Sequence, residues 1–184
     1  MSTESKSIAR TLLIVDDERD IRDILKDSLA PICNHIFTAG DGLEALSIIE
    51  TNPTICAILS DIRMPHMDGL ELLSHIRSNF NPIPFVVLTA FGDVKSYQQA
   101  IRLNATDFLE KPIVPDEIQK VMEKAVQYGI EILKLDRALD EMLADLKTSI
   151  QNTEELKRAK RTVTLMRVEN SIYLKNETQK RRSS

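Results

Sequence analysis

"ILSDIRMPHMDG", residues 58–69, sets one carboxylate, Asp61, at the end of an apolar run and follows it with Met-Pro and then Asp-Gly. An aspartate ending a buried strand loses hydration and requires a cation or hydrogen bonds in return. Met64 and Pro65 shape a stiff loop behind it, and Asp68-Gly69 reads as a turn into the next helix. The preceding run, "ICAILS" (55–60), is apolar nearly throughout. That is the pattern of a parallel strand covered on both faces.

The same kind of run recurs on either side. "TLLIV" (11–15), "HIFTA" (35–39), "FVVLT" (85–89) and "DFLE" (107–110) have β-type composition. Helical spacings fall between them: Ile21, Ile24, Leu25, Ser28; Leu43, Leu46, Ile49; Leu72, Leu73, Ile76; Val94, Tyr97, Ile101. Five strand–helix repeats with short links predict a doubly wound α/β fold on a five-stranded parallel sheet. Crossovers are then right-handed, and ligands bind beyond the carboxyl ends of the strands.

A chain of 184 residues with 42% hydrophobic content can bury a core, and its 28% charged share fits a soluble protein. No apolar stretch approaches the length of a membrane span, and "MSTESKSIARTLLIV" lacks the apolar segment of a secretory signal. Cys33 and Cys56 form no framework pattern. A cytoplasmic location without membrane insertion is the expectation. Charge is unevenly spread: from Ile150 onward nine basic residues face four acidic ones, a balance of +5 that leaves −9 on the rest of a chain of net charge −4.

After Pro112 the pattern changes. Pro115 and Asp116 are helix entry signals. The helix then continues past the end of an ordinary fifth element, with Ile118, Val121, Ala125, Tyr128, Ile132, Leu135, Leu139, Met142 and Leu146 in 3-4 alternation. This narrow seam is a coiled-coil signature. Gly129 interrupts it at a cost of about 1 kcal/mol relative to alanine, which the seam could offset. The expected organisation is a domain over residues 10–128, a coiled-coil extension over 129–156 and a basic tail over 157–184. A homodimer through residues 118–146 is the leading use of the seam; the bland alternative is one amphipathic helix folded back on its own domain.

Asp16 and Asp17 follow "LLIV", Asp61 follows "ICAILS", Thr89 follows "FVVL", and Lys111 closes the fifth strand. Parallel strands gather all of them on one rim of the sheet. Three carboxylates there repel unless a cation sits among them, and oxygen ligands of this number suit Mg²⁺. By position alone, Asp16 and Asp17 are equally readable as helix-capping acids. His35, His66 and His75 share no metal-ligand spacing and read as surface or core residues.

"DDE" at 16–18, "DIRMPHMDG" at 61–69, "TA" at 89–90 and "EKP" at 110–112 together resemble the receiver domain of bacterial two-component response regulators, including the single-domain chemotaxis regulators. The resemblance implies a flavodoxin-like sheet of order 2-1-3-4-5, followed here by a long α-helical extension. It implies that Asp61 accepts a phosphoryl group from a histidine kinase or phosphotransfer protein, and that Asp16, Asp17, Asp61 and the backbone carbonyl of Arg63 hold Mg²⁺. Lys111 would pair with the phosphoryl group, Thr89 would move toward it, and Phe108 would rotate inward in response. Asn104 stands where the family often has glycine, and asparagine tolerates the left-handed backbone needed there. The output would run through the fourth and fifth strands and their helices into the extended helix. Two other uses of the C-terminal segment stand beside this: nucleic-acid binding through the basic tail, which lacks interleaved aromatics, and docking of a partner helix.

Overall fold

The computed structural model describes residues 8–79, 81–90 and 93–149, and beyond these Glu155, Lys157, Arg158, Arg161, Thr162, Val163 and Met166. Its elements alternate as expected: β1 (Thr11–Val15), α1 (Arg19–Leu29), β2 (His35–Ala39), α2 (Gly42–Thr51), β3 (Ile55–Asp61), α3 (Gly69–Ser78), β4 (Phe85–Ala90), α4 (Val94–Arg102), β5 (Asp107–Lys111) and α5 (Pro115–Ser149). The five strands form one parallel sheet in the order β2-β1-β3-β4-β5. β3, β4 and β5 each run one residue beyond the expected strand, so Asp61, Ala90 and Lys111 are themselves strand residues.

The apolar runs are apolar because both sides of the sheet are covered. Leu13, Val15, Ile58, Phe85 and Val87 belong to one buried cluster with Leu72, Leu73, Ile76 and Ala100. Leu12, Ile14, Ala57, Leu59, Val86 and Leu88 are equally buried outside that cluster, as a side-chain period of two requires. The two edge strands, β2 and β5, are half-exposed along most of their length.

Three helical faces differ from the spacing drawn on the sequence. Ile24 of α1 and Leu43 of α2 are exposed (56% and 54%), and in α4 the stripe Val94, Tyr97, Ile101 faces solvent while Ala100 is fully buried. Small Ala100 lets α4 sit close to the sheet, so the longer apolar residues fall on its outer side. The turn after α4 follows the expectation for Asn104, whose φ of 60° is left-handed. Asn104 N–H donates to Ile101 C=O at 3.0 Å and Ala105 N–H to Ala100 C=O at 2.9 Å, the paired bonds of a Schellman cap.

The contacts divide the chain into two units that meet in sequence at Ile130 and Glu131. In the first, the buried face of α5 is Ile118, Met122, Ala125, Val126 and Ile130, each 7% exposed or less. Val121 and Tyr128, expected on the seam, are only half-buried. Gly129 also has a different role from the one expected. A Cβ there would overlap the carbonyl oxygen of Cys56 and stand 3.0 Å from its Cα, so glycine is what lets α5 lie against the start of β3. In the second unit Leu135 and Met142 are exposed and Val163 is buried. Most of the expected basic tail lies outside the described residues.

Candidate functional site

Parallel pairing brings the ends of β1, β3 and β5 to one rim. The register sets Val15 beside Ser60 and Asp61 beside Leu88, with Ala90 beside Lys111 on the far side. Lys111 Nζ reaches across this rim to Asp61 Oδ1 at 2.9 Å and to Asp16 Oδ2 at 3.3 Å. Asp16 is fully buried, Asp61 is 9% exposed and Thr89 7%. Two of the sequence-predicted carboxylates and the predicted lysine therefore meet directly.

Burial raises the Asp16 carboxyl above the usual carboxylate range, and the Asp61 charge adds to this; the Glu18 N–H and Lys111 oppose it without cancelling it. For Lys111, burial alone would lower the pKa, but the hydrogen bond to Asp61 and the charges of Asp61 and Asp16 more than offset it and leave it raised. The lysine is thus held charged between two acids. Asp16 is tied in three further ways: its N–H donates to Ala39 C=O at 3.1 Å, its Oδ1 accepts from Glu18 N–H at 2.9 Å, and its C=O accepts from Arg22.

Asp17 behaves differently. It is exposed, and among the described residues no cluster of three or more Asp, Glu, His or Cys side chains is gathered as a ready-made metal cage. Mg²⁺ does not require one, since it keeps water and phosphate oxygens and takes one or two carboxylates. A buried acid beside a second acid, with only one lysine to balance both, fits such a cation. The Arg63 side chain is exposed and pairs with Asp93 at 3.4 Å.

The loop behind Asp61 is built tightly. Asp68 caps α3 in a capping box, accepting from Leu70 N–H and Glu71 N–H while Glu71 accepts from Asp68 N–H. Gly69 N–H donates to Ile62 C=O at 2.9 Å, and a Cβ on Gly69 would overlap the Asp61 carbonyl oxygen. Thr89 Oγ1 donates to Ala90 C=O at 3.3 Å. The Phe108 ring packs against Tyr97 of α4, centroids 4.4 Å apart and tilted by 46°. His35, His66 and His75 are all exposed, and His66 Nδ1 meets Asp41 at 2.9 Å.

Sequence reasoning missed Arg22, Tyr97 and Asp93. Tyr97 carried only the signal of an apolar residue at helical spacing, and Asp93 only that of an acid before a helix. Arg22 lies six residues after Asp16, one turn into α1, where a long side chain can reach back toward the helix start.

This is a doubly wound α/β domain whose carboxyl-end rim carries a lysine shared by two buried acids. The chain belongs to the response regulator receiver domain family, whose model matches residues 12–123, more than half of its length. Domains of this family are signalling phospho-acceptors rather than classical enzymes. Among characterised proteins it is similar to the regulatory protein AtoC of Escherichia coli, 34% identical over 117 residues, 63% of this chain and 25% of that protein. It is similar also to the transcriptional regulatory protein FixJ of Bradyrhizobium diazoefficiens, 30% identical over 139 residues, 72% of this chain and 64% of that protein. The chain thus spans less than two thirds of either relative. Among solved structures, the receiver domain of NtrX from Brucella abortus matches with a TM-score of 0.59 and 34% identity, covering 63% of this chain and 98% of that one. The chemotaxis response regulator CheY4 of Vibrio cholerae matches with a TM-score of 0.57 and 30% identity, over 62% and 97%. No helix among the described residues is long and apolar enough to cross a membrane.

Proposed function

We propose that the chain is a phosphorylation-dependent response regulator that accepts a phosphoryl group on Asp61 from the phosphohistidine of a kinase or phosphotransfer protein. The observation that carries this reading is Lys111 Nζ, 2.9 Å from Asp61 and 3.3 Å from Asp16 at the strand ends. An Asp61 carboxylate oxygen attacks phosphorus, the P–N bond breaks, and the imidazole keeps the bonding electron pair. Mg²⁺, held by Asp16, Asp17, Asp61 and the carbonyl of Arg63, would supply charge neutralisation for the phosphoryl oxygens when bound. Lys111 pairs with the new charge of about −1.5 to −2. Water then hydrolyses the acyl phosphate and restores Asp61.

The response runs through Thr89 and Phe108. Thr89 Oγ1 exchanges its bond to Ala90 C=O for one to a phosphoryl oxygen, and Phe108 gives up its packing on Tyr97 to turn inward. These contacts exist in one state and not the other, which is the differential affinity a switch requires. Output passes through β4, α4, β5 and α5. Because Ile118 and Ala125 are buried within the first unit, pairing with a second chain uses the seam after Ile130, including exposed Leu135 and Met142. The test is labelling with acetyl phosphate, with and without Mg²⁺. The wild-type chain takes up one phosphoryl group and Asp61→Asn takes up none; equal labelling of both would sink the assignment of Asp61.

A second reading makes the chain a transcriptional regulator, favoured by the relative FixJ being a transcriptional regulatory protein. Its basic segment would then bind nucleic acid. Affinity falling steeply between low and moderate salt in a mobility-shift assay supports it, and absence of binding at low salt removes it.

A further inference from the structure

The receiver reading leaves one cation beside the acidic pair without a task. Arg22, on α1, directs Nη1 at two successive backbone carbonyls, Asp16 C=O at 2.5 Å and Asp17 C=O at 3.1 Å. It forms no ion pair with either carboxylate among the described residues. Its contact with the turn is therefore made through backbone carbonyls rather than through either carboxylate.

The two aspartates depend on it unequally. Asp16 is fixed without Arg22 by Ala39, Glu18 and Lys111. Asp17 is not. Its carboxylate is exposed, and the hydrogen bond that holds it among the described residues is the one its carbonyl accepts from Arg22. Two adjacent carbonyls drawn to one donor fix the peptide planes on either side of Asp17. That sets the direction of its Cα–Cβ bond. The start of α1 gives no substitute, because Glu18 at the N-cap makes no side-chain capping bond.

We propose that Arg22 is a positioning residue for divalent-cation binding, aiming the Asp17 carboxylate by clamping the carbonyls of Asp16 and Asp17. This rests on the receiver reading of the site. Groups that orient metal ligands typically affect metal affinity by about 10–100-fold. A lysine at position 22 can still donate to both carbonyls, whereas methionine cannot.

The test is a Mg²⁺ titration of the full-length chain, followed by ¹⁵N–¹H NMR shifts of the Asp16, Asp17 and Asp61 amides. Thermal unfolding without Mg²⁺ is measured on the same samples. Arg22→Met should raise half-saturating Mg²⁺ about tenfold, with Arg22→Lys lying close to wild type. A purely structural role is the competing account; it predicts lower unfolding temperatures for Arg22→Met with unchanged half-saturation, and that result would overturn the proposal. If the wild-type chain shows no Mg²⁺ response, the receiver reading itself fails. If wild type and Arg22→Met respond alike, only the role of Arg22 fails.

Discussion

Replacing Gly129 with alanine sets two physical effects against each other. Within a helix, alanine is favoured over glycine by about 1 kcal/mol, so helix propensity alone predicts stabilisation. The tertiary contact predicts the opposite. The new Cβ would overlap the Cys56 carbonyl oxygen and stand 2.5 Å from its carbon and 3.0 Å from its Cα. These are strand backbone atoms, which no rotamer change can move aside, so α5 must lift from β3. Overpacking typically costs about 1–3 kcal/mol, and a backbone overlap lies at the upper end. Lifting α5 also loosens Met122, Val126 and Ile130. The net expectation is a loss of about 2 kcal/mol, after subtracting the propensity gain. For a chain of this size that lowers the melting temperature by about 4–8 °C. Urea unfolding followed by circular dichroism should show a lower midpoint with an unchanged slope. A Gly129→Ala chain as stable as wild type, or more stable, would refute the close seating of α5 on β3.

The carboxylate site makes its own stability prediction. Because Asp16 has a raised pKa in the fold, chiefly through burial, its contribution is fully favourable below the unfolded value of about 3.9 and is lost as pH rises through the folded value. At neutral pH the charged Asp16 therefore costs stability. Asp16→Asn, measured without Mg²⁺ at pH 7, should gain about 0.5–2 kcal/mol, a gain that shrinks as the pH is lowered toward 4; a loss at pH 7 contradicts the assignment. The same substitution should weaken Mg²⁺ binding in a calorimetric titration, and unchanged affinity would remove Asp16 from the cation site. For self-association, light scattering should report a dimer for the wild-type chain and a monomer for the double variant Leu135→Glu, Met142→Glu. A monomeric wild-type chain, with and without acetyl phosphate and Mg²⁺, would end the dimer proposal.

The fold was legible in the sequence where one kind of signal repeats. Five strand runs, each apolar because the sheet is covered on both faces, fixed the class of fold. The acids at 16–17 and 61 and the lysine at 111 stood out because parallel strands gather their ends on one rim, although Asp16 and Asp17 by position alone read equally as helix-capping acids. Asp68-Gly69 was readable as a turn into a helix and Asn104 as a residue that tolerates the left-handed backbone, because these are local backbone chemistry decided within a few residues; that Asp68 caps α3 in a capping box came from the structure.

What needed the tertiary structure was anything set by a neighbour distant in the chain. The stripe Val94, Tyr97, Ile101 has helical spacing, but Ala100 determines which side of α4 meets the sheet. The heptad seam begins inside the first unit, where Ile118 and Ala125 are already buried. Gly129 looked like a flaw in a helix until Cys56 lay against it. Asp16 and Asp61, 45 residues apart, carry no sign in the sequence that one lysine serves both, or that an arginine stands behind the first. Local pattern specified elements and chemistry. Packing decided which faces are buried and which charges share a partner, because close approach depends on the volume and position of groups that the local sequence does not contain.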